Sequence, residues 1–254
     1  MEIKKISKKK NNLYQILLSD NTSLSFYDDT IIKYNLLVNR SFDDKTLQEM
    51  LAFNNELAAY YKALSYIKAK LRTKKEIEDK LKKLGYTNNV VLNTIKRLEK
   101  QKYLNDDIYI KAYISDQVNL TLKGPKKISQ ELIKLGFKEE IVNTYIDKYS
   151  NDLWEEKIIK IINKKIKSNH NLSKKMLINK IKSDLINLGY NLEMINKLLL
   201  NIDYQNDEEI LNKEINKAIK KCSKKYQGKD LELKVKMYLY SKGFDYNIDI
   251  NNYL

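Results

Sequence analysis

The residues of this sequence that could do chemistry are lysines, placed where they could bind phosphate groups. Three similar segments each open with two adjacent lysines, and these pairs are Lys74 and Lys75, Lys126 and Lys127, and Lys174 and Lys175. The pairs follow Thr73, Pro125 and Ser173, which are residue types that commonly begin a helix. Cations at a helix N-terminus oppose the helix dipole by roughly 0.3–1 kcal/mol each, and a bound anion reverses that penalty. The pattern therefore indicates an anion-binding surface, while the abundance of lysine leaves a simple solvated face as the alternative.

The surrounding charge favours nucleic acid as the anion. The chain has a formal net charge of +15, and residues 59–106 contain 13 Lys and Arg against 5 Asp and Glu. Only three arginines are present, so bidentate recognition of guanine is disfavoured and non-specific phosphate contact is the more natural use of the charge. We predict that the three lysine pairs contact DNA or a DNA filament. Five further residues are expected to take part in the same contact: Arg72, Lys82, Lys83, Arg97 and Lys123.

Motifs for catalysis, metal binding and cofactor binding are absent from the sequence. It has no GxxxxGK[ST], GxGxxG, CxxC or HExxH pattern, so nucleotide hydrolysis and zinc chemistry have no recognisable residues. The single histidine, His170, lies in a polar stretch and fits a solvated loop. Trp154 begins an apolar stripe and fits a core position better than an exposed stacking surface. We therefore predict a protein that is not an enzyme, with no catalytic, metal-binding or cofactor-binding residues.

The lysine pairs belong to helices whose ends are marked in the sequence. Thr73 and Glu76 form a potential capping box at the start of the first helix, and Gly85 supplies a left-handed residue at its end. The apolar stripe that we expect to face inward consists of Ile77, Leu81 and Leu84. Comparable glycines recur at positions 136, 189 and 243, which are 51, 53 and 54 residues apart in sequence. A helix end that recurs at this period predicts tandem repeats of one helical unit.

The recurring helix end predicts a mainly α fold, with tandem three-helix repeats in an elongated array after a small N-terminal β segment. We place the β segment at residues 1–40, a linking helix at 41–58, and three-helix repeats at 59–105, 106–153, 154–207 and 208–254, the last of them truncated. Three short β-prone runs are expected in the first segment: Asn12–Leu18, Ser23–Phe26 and Thr30–Tyr34. A bend near Asn54 and Asn55 should separate the linking helix from the first repeat.

The sequence also carries signals for location. No apolar run approaches the roughly 20 residues of a membrane span, and Met1–Lys5 lacks the apolar core of a signal peptide. The single cysteine, Cys222, cannot form an internal disulfide, which fits a reducing compartment. We therefore expect a cytoplasmic protein that does not insert into a membrane.

Several short motifs, taken in their order and spacing, resemble the RecX family of bacterial recombination regulators. The family pattern has an Ala-Leu-x-Tyr-Leu-like helix end, an Arg-[Ser/Thr]-x-x-Glu-Leu helix start and a Leu-x-x-Lys-Gly-Phe-like turn. A Gly-Tyr-hydrophobic-Asn-Asp junction follows, and then a Gly-Pro element with a Glu-Leu-x-x-x-Gly-hydrophobic stretch after it. The matching segments are Ala63–Ile67, Arg72–Ile77, Leu81–Tyr86, Lys102–Asp106, and Lys123–Pro125 followed by Glu131–Phe137. The likeness is strong over residues 59–150, fair in the N-terminal β segment and weak after residue 154.

This resemblance implies an accessory protein with no catalytic activity of its own. Members of the family bind the RecA recombinase and its filament on single-stranded DNA, and usually inhibit its ATPase and strand-exchange activities in recombination, DNA repair and the SOS response. The expected partners are therefore the RecA filament and single-stranded DNA without base preference, with the chain acting as a monomer and needing no cofactor. The alternative, from another class, is a non-specific DNA-binding module built of helix-turn-helix-like repeats.

Overall fold

The chain begins with a three-stranded antiparallel sheet in a computed structural model that describes residues 1–200, 207–250 and 253. The strands, in spatial as well as sequence order, are β1 (Ile3–Lys8), β2 (Leu13–Leu18) and β3 (Ser23–Tyr27). Ile6 pairs with Ile16, and Ile16 pairs with Leu24, so these three side chains share one face of the sheet. That face packs against the buried Met50 in a small core of its own.

One of the three predicted β runs is wrong, because Thr30–Tyr34 lies largely in helix α1 (Asp28–Lys33). The first turn of this helix contains Asp28 and Asp29. Carboxylates there stabilise the positive end of the helix dipole, and this effect outweighs the modest β-propensity of the two following isoleucines. Strand β1 escapes the sequence prediction because a bulge interrupts its alternation just after Ile3.

The predicted bend at Asn54 and Asn55 is also wrong, because one helix, α2 (Asp44–Ala69), runs through both residues. Asparagine is a weak helix former, so the sequence alone resembles a break at this point. The Asn54 side chain instead accepts a hydrogen bond from the Tyr27 amide at 2.8 Å and donates one to the Ser25 carbonyl at 3.1 Å. It therefore satisfies backbone groups at the open edge of β3 and attaches the sheet to α2.

The first lysine-led helix, α3 (Lys74–Lys83), starts as the sequence predicts. The Thr73 hydroxyl accepts a hydrogen bond from the Glu76 amide at 3.1 Å, and Glu76 Oε2 accepts one from the Thr73 amide at 2.9 Å. These two bonds complete the capping box and satisfy two amides that a helix start otherwise leaves free.

The core beside α3 differs from the predicted stripe at one position. Ile77 and Leu81 are fully buried in a cluster with residues of α2 and of the next helix, α4 (Asn88–Lys100). Leu84, which was expected to face inward, is 47% exposed, so that part of the prediction is wrong. The chain turns through the left-handed residue that follows Leu84, and Tyr86 packs against the cluster instead.

Eight further helices follow in the described residues. They are α5 (Asp106–Leu120), α6 (Pro125–Lys134), α7 (Glu139–Ile146), α8 (Asn151–Lys167), α9 (Lys174–Asn187), α10 (Leu192–Leu199), α11 (Asp207–Cys222) and α12 (Gly228–Ser241). They confirm the predicted mainly α fold with a small N-terminal β segment. The chain divides into two compact units: unit 1 is Met1–Lys111 with Leu135–Phe137, and unit 2 is Ala112–Lys134 with Lys138–Leu254.

The placement of the repeat boundaries stays a prediction. Residues 201–206, in the predicted third repeat, and residues 251, 252 and 254, in the predicted fourth, lie outside the described residues. The recurring glycines do end α3, α6, α9 and α12, and all four have positive φ angles between 85° and 99°. The sequence period therefore marks real helix ends.

Candidate nucleic-acid interface

Arg72, one of the predicted anion-binding residues, is held within unit 1. Its guanidinium lies over the Tyr66 ring at 3.6 Å, and Nη1 donates a hydrogen bond to Glu76 Oε1 at 3.0 Å. Only 12% of the arginine side chain is exposed. The planar guanidinium group of arginine is well suited to stacking on an aromatic ring and to pairing with a carboxylate. Here the two contacts connect the end of α2 to the start of α3. Stability therefore accounts for this arginine.

Lys74 also has partners within unit 1. Its Nζ lies 2.6 Å from Glu99 Oε1 and 3.0 Å from Asp106 Oδ2, which joins the start of α3 to the end of α4 and the start of α5. The hydrogen bond to Glu99 raises the pKa of Lys74 above its ordinary value, against a smaller opposing effect of burial, and Asp106 raises it further. Two carboxylates thus already neutralise much of the charge that the sequence assigns to anion binding.

The other predicted cations of unit 1 are engaged to different degrees. Lys82 Nζ lies 2.5 Å from Glu78 Oε1, and the Arg97 guanidinium lies over the Tyr60 ring at 3.8 Å. Lys83 is exposed and forms no ion pair within the described part of the chain. An exposed pair such as the one at Lys82 contributes only about 0–1 kcal/mol, so a polyanion can compete for that lysine.

Lys123, in unit 2, belongs to a small polar network. Its Nζ lies 2.7 Å from Glu131 Oε2, which also accepts a hydrogen bond from the Tyr113 hydroxyl at 2.8 Å. Burial by itself would raise the pKa of Glu131, but the hydrogen bonds from Lys123 and Tyr113 outweigh it, and the pKa is lowered. The lysine therefore anchors the loop before α6 onto that helix, and its charge is largely used there.

The start of α6 rests on the end of α9, within unit 2. The Gly124 amide donates to the Leu188 carbonyl at 2.7 Å, and the Lys126 amide donates to the Gly189 carbonyl at 3.1 Å. The two backbones touch: a Cβ added to Gly189 would lie 2.4 Å from the Lys127 nitrogen. Backbone amides that have no partner within α6 thus donate to backbone carbonyls that have no partner within α9.

The two other lysine-led helix starts have related contacts. At the start of α9, in unit 2, the Ser173 hydroxyl donates to the Lys242 carbonyl at 2.7 Å, just beyond α12. In the first turn of α3, in unit 1, the Lys75 side chain lies against Gly136, where an added Cβ would meet Lys75 Cβ at 3.2 Å. A helix C-terminus carries partial negative charge, which stabilises cations beside it.

At α6, these contacts account for the start of the helix without a bound anion. The amides of Gly124 and Lys126 donate to carbonyls at the end of α9, and the partial negative charge there offsets the penalty of the lysine pair. Lys126, Lys174 and Lys175 nevertheless remain exposed, with no ion pair in the residues that the structure describes. Lys127 is half-buried. Contact with phosphates stays a prediction for all the candidate residues.

Sequence reasoning missed a group of exposed lysines in β1 and the turn after it. None of them forms an ion pair within the described residues, and they are Lys4, Lys5, Lys8, Lys9 and Lys10. Counting charge over residues 1–58 conceals them, because 8 Lys and Arg balance 8 Asp and Glu there. A shorter window would have found them, since residues 1–19 contain these five lysines and one acid.

The described residues contain neither a metal-binding cluster nor a membrane-spanning helix. In residues 1–200, 207–250 and 253, no three His, Cys, Asp or Glu side chains are grouped in a way that could hold a metal ion. Over the same residues, the helices are too short or too polar to cross a membrane. Cys222 is half-buried, and its thiol is free.

Known proteins resemble this chain over nearly its whole length. Residues 59–98 match a family model described as RecX, first three-helix domain, and they correspond to the end of α2 with α3 and most of α4. The chain is 30% identical to the regulatory protein RecX of Listeria monocytogenes serotype 4a, over 98% of this chain and 93% of that protein. It is also 30% identical to the regulatory protein RecX of Bacillus licheniformis, over 97% and 95% of the two chains.

Solved structures share the fold. A crystal structure of regulatory protein RecX, 23% identical in sequence, superimposes with a TM-score of 0.67 over 78% of this chain and 98% of that one. A crystal structure of RecX from Lactobacillus salivarius, 28% identical, gives a TM-score of 0.54 over 62% and 97%. The matched three-helix domain and these structures confirm the predicted helical repeats. Because relatives that align along almost the full chain reach 30% identity, this chain belongs to the RecX family of regulatory proteins.

Proposed function

We propose that this RecX-family protein binds the RecA recombinase and its filament on single-stranded DNA, and reduces the recombinase's ATPase and strand-exchange activities. The observation that carries the proposal is the near-full-length similarity to proteins named regulatory protein RecX. The motifs over residues 59–150 support the same family by their resemblance. Regulation through binding also suits a sequence that offers no catalytic motif.

Exposed lysines supply the contacts to DNA phosphates in this proposal. Lys83, Lys126, Lys174 and Lys175 are exposed and form no ion pair in the described part of the chain. An ammonium group is a point charge, so it holds phosphate oxygens regardless of the base sequence. Each such contact releases condensed counterions, and the affinity should therefore fall steeply as the salt concentration rises. A chain held along the filament in this way would obstruct the approach of a second DNA strand.

The other candidate residues are less suited to a binding test. Arg72, Lys74, Arg97 and Lys123 already have carboxylate or aromatic partners in the protein. Replacing any of them changes packing or ion pairing as well as surface charge. A loss of filament binding in such a variant would not identify a DNA contact, so exposed lysines make the cleaner test.

The recombinase's ATPase activity tests the proposal. With RecA assembled on single-stranded DNA, phosphate release is measured while this chain is added in increasing amounts. We expect the rate to fall as the chain is added, and the inhibition to weaken at higher salt because phosphate contacts contribute to binding. A rate that stays constant or rises in the presence of excess chain contradicts the inhibitory role.

A pull-down without DNA separates this function from the alternative of a non-specific DNA-binding module. The proposal predicts that the chain retains RecA when nuclease has removed all nucleic acid from both proteins. Retention of RecA only when DNA is restored, together with equal affinity for bare DNA and for the filament, would favour the alternative.

A further inference from the structure

We propose that the β1–β2 hairpin and the adjoining face of α2 form a binding site for one strand of unpaired nucleic acid. This site is separate from the lysine-led helix starts, and all of its residues belong to unit 1. It rests on the proposed function for its biological role, whereas its binding of a bare strand can be measured with no recombinase present. Experiments can therefore disprove the binding site and the proposed function independently of each other.

The hairpin provides positive charge that no ion pair neutralises in the described part of the chain. Five lysines are exposed in β1 and its turn, have no ion pair in the described residues, and are Lys4, Lys5, Lys8, Lys9 and Lys10. The nearest acid in sequence is Glu2, which is also exposed. Repulsion among so many neighbouring cations is relieved when a polyanion replaces their counterions.

The turn brings this charge beside a groove. Asn11 and Asn12 both have φ angles near +60°, as a tight two-residue hairpin turn requires, and asparagine tolerates this conformation. The same two residues line a groove of about 490 Å³ that is closed on the other side by α2. Lys9 and Lys10 immediately precede these two residues in the chain, and both are exposed.

The groove contains the second element that a single strand requires, which is an aromatic surface. Tyr27 and Tyr61 line it with their ring centroids 4.7 Å apart, and Lys62 and Lys68 of α2 line it as well. Aromatic side chains stack on unpaired bases of any sequence, while lysines beside them hold the backbone. A duplex keeps its base faces stacked on one another, so this combination favours a single strand.

Hydrogen bonds fix the aromatic wall of the groove and the turn in place. The Tyr61 hydroxyl donates a hydrogen bond to Asp29 Oδ2 at 3.1 Å, which orients the ring and occupies that carboxylate. Burial, and then this bond, raise the pKa of Tyr61 to about 12. Asp28 adds negative charge nearby, and its backbone amide donates to the Asn12 carbonyl, which holds the turn against α1.

Another role for the hairpin lysines is protection of an edge strand. β1 lies at the edge of the sheet, and lysines on an edge discourage pairing with another chain. That role requires charge but makes no use of Tyr27 and Tyr61. Variants of the lysines and of the tyrosines therefore distinguish the two roles.

The first measurement is binding of a fluorescent oligo-deoxythymidine to the full-length chain, followed by fluorescence anisotropy at about 50 mM salt, where phosphate contacts are strong. We expect the triple variant Lys8→Glu, Lys9→Glu, Lys10→Glu to bind at least about tenfold more weakly. The matched control is Lys160→Glu, Lys164→Glu, Lys180→Glu, which changes the net charge equally at exposed lysines of α8 and α9. We expect the control to bind within about threefold of the unsubstituted chain, because only long-range attraction is altered.

The second measurement tests the aromatic surface. Tyr61→Leu should weaken oligonucleotide binding about fivefold or more without changing its salt slope, whereas Tyr61→Phe keeps the ring and should bind nearly normally. Equal weakening of the hairpin variant and its control overturns the site, and so does normal binding by the hairpin variant. Normal binding by Tyr61→Leu overturns the groove and leaves edge protection as the role of the lysines.

Photo-crosslinking keeps the test decisive if a variant fails to fold or aggregates. The unsubstituted chain is irradiated with an oligonucleotide that contains iododeoxyuridine, and the crosslinked peptides are identified by mass spectrometry. The site predicts crosslinks at Tyr27 or Tyr61. Crosslinks confined to other parts of the chain overturn it.

Discussion

The first two lysine-led helices, α3 and α6, share a sequence pattern but differ in their surroundings. Each has two adjacent lysines in its first turn and is followed by a leucine, a glycine and an aromatic residue. At α3, the ammonium group of Lys74 is held by Glu99 and Asp106, and a Cβ added to the glycine after the helix would meet nothing within 4 Å. At α6, the first turn instead donates hydrogen bonds to carbonyls at the end of α9, and Lys126 is exposed.

This difference separates what a short pattern specifies from what it leaves open. A left-handed glycine depends on residues within a few positions, so α3 and α6 end in the same way, while the capping box belongs to the start of α3. The groups that bond to each first turn are carboxylates at α3 and backbone carbonyls at α6, and both come from other helices. A lysine at such a start can therefore serve stability, as Lys74 does, or remain available for binding, as Lys126 does.

The largest effect is expected at the glycine on which α6 rests. Gly189→Ala places a Cβ 2.4 Å from a backbone nitrogen of α6, at a residue whose φ is +89°. Left-handed strain costs about 1–2 kcal/mol and contact with the backbone adds about 1–3 kcal/mol, so the free energy of unfolding should fall by about 2–5 kcal/mol. Thermal melting followed by circular dichroism measures the loss.

Gly85→Ala is the matched control for this contact. Gly85 has nearly the same φ, +86°, but an added Cβ meets no atom within 4 Å. Only the strain of about 1–2 kcal/mol should appear. Equal losses of stability in the two variants would show that the packing of α6 on α9 contributes nothing, and the difference between the two helix starts would disappear.

A charge reversal at each helix start should have an intermediate effect on stability. Lys74→Glu places a third carboxylate beside Glu99 and Asp106. Like charges at that separation repel, so we expect the free energy of unfolding to fall by about 1–2 kcal/mol. Lys126→Glu, at an exposed side chain, should change it by less than about 0.5 kcal/mol.

Binding to the recombinase filament should show the opposite order. Loss of one phosphate contact at Lys126 should weaken binding about fivefold and reduce the salt slope by about one, as a titration at several salt concentrations would show. Lys74→Glu should weaken it less, at a temperature where that variant remains folded, because two carboxylates already hold the lysine. A weaker filament complex with folded Lys74→Glu than with Lys126→Glu would assign the contact to α3 instead.

The parts of the fold that the sequence predicts are those that near neighbours determine. The capping box of Thr73 and Glu76 and the recurring glycine ends could be identified because a handful of adjacent residues determines each of them. The sequence alone predicts a break at Asn54, because the partners of this side chain, Tyr27 and Ser25, lie in a strand far away in sequence. Helix α1 was missed because a pair of acids in its first turn outweighs the local β-propensity.

The candidate site was less predictable than the fold. Composition shows where lysines are abundant, but an ion pair such as Lys74 with Glu99 depends on how separate helices pack. The hairpin lysines were overlooked for the opposite reason, since acids later in the same segment cancel their charge in a count without lying beside them. Net charge over a segment is therefore a poor measure of the charge that its surface leaves free.

The smallest expected effect is a pH dependence of opposite sign at the two helix starts. The folded chain lowers the pKa of Glu131, which holds Lys123 before α6. The carboxylate of Glu131 therefore contributes stability above the ordinary carboxyl pKa of about 4.3, and the contribution is lost as the pH falls through the folded value. The folded chain raises the pKa of Lys74, so its contribution is complete below the ordinary lysine pKa of about 10.4 and is lost as the pH rises through the folded value.

Two neutral substitutions should remove these dependences one at a time. Glu131→Gln should flatten the fall of the melting midpoint below about pH 4 and leave the alkaline side unchanged, whereas Lys74→Met should flatten the fall above about pH 10 and leave the acid side unchanged. Both groups are partly exposed and therefore screened, so each change should stay below about 1 kcal/mol. Melting curves recorded across this pH range for both variants and the unsubstituted chain provide the measurement. A change in the acid part of the melting profile with Lys74→Met, or in its alkaline part with Glu131→Gln, would contradict the prediction. It would show that the two ion pairs do not stabilise α3 and α6 independently.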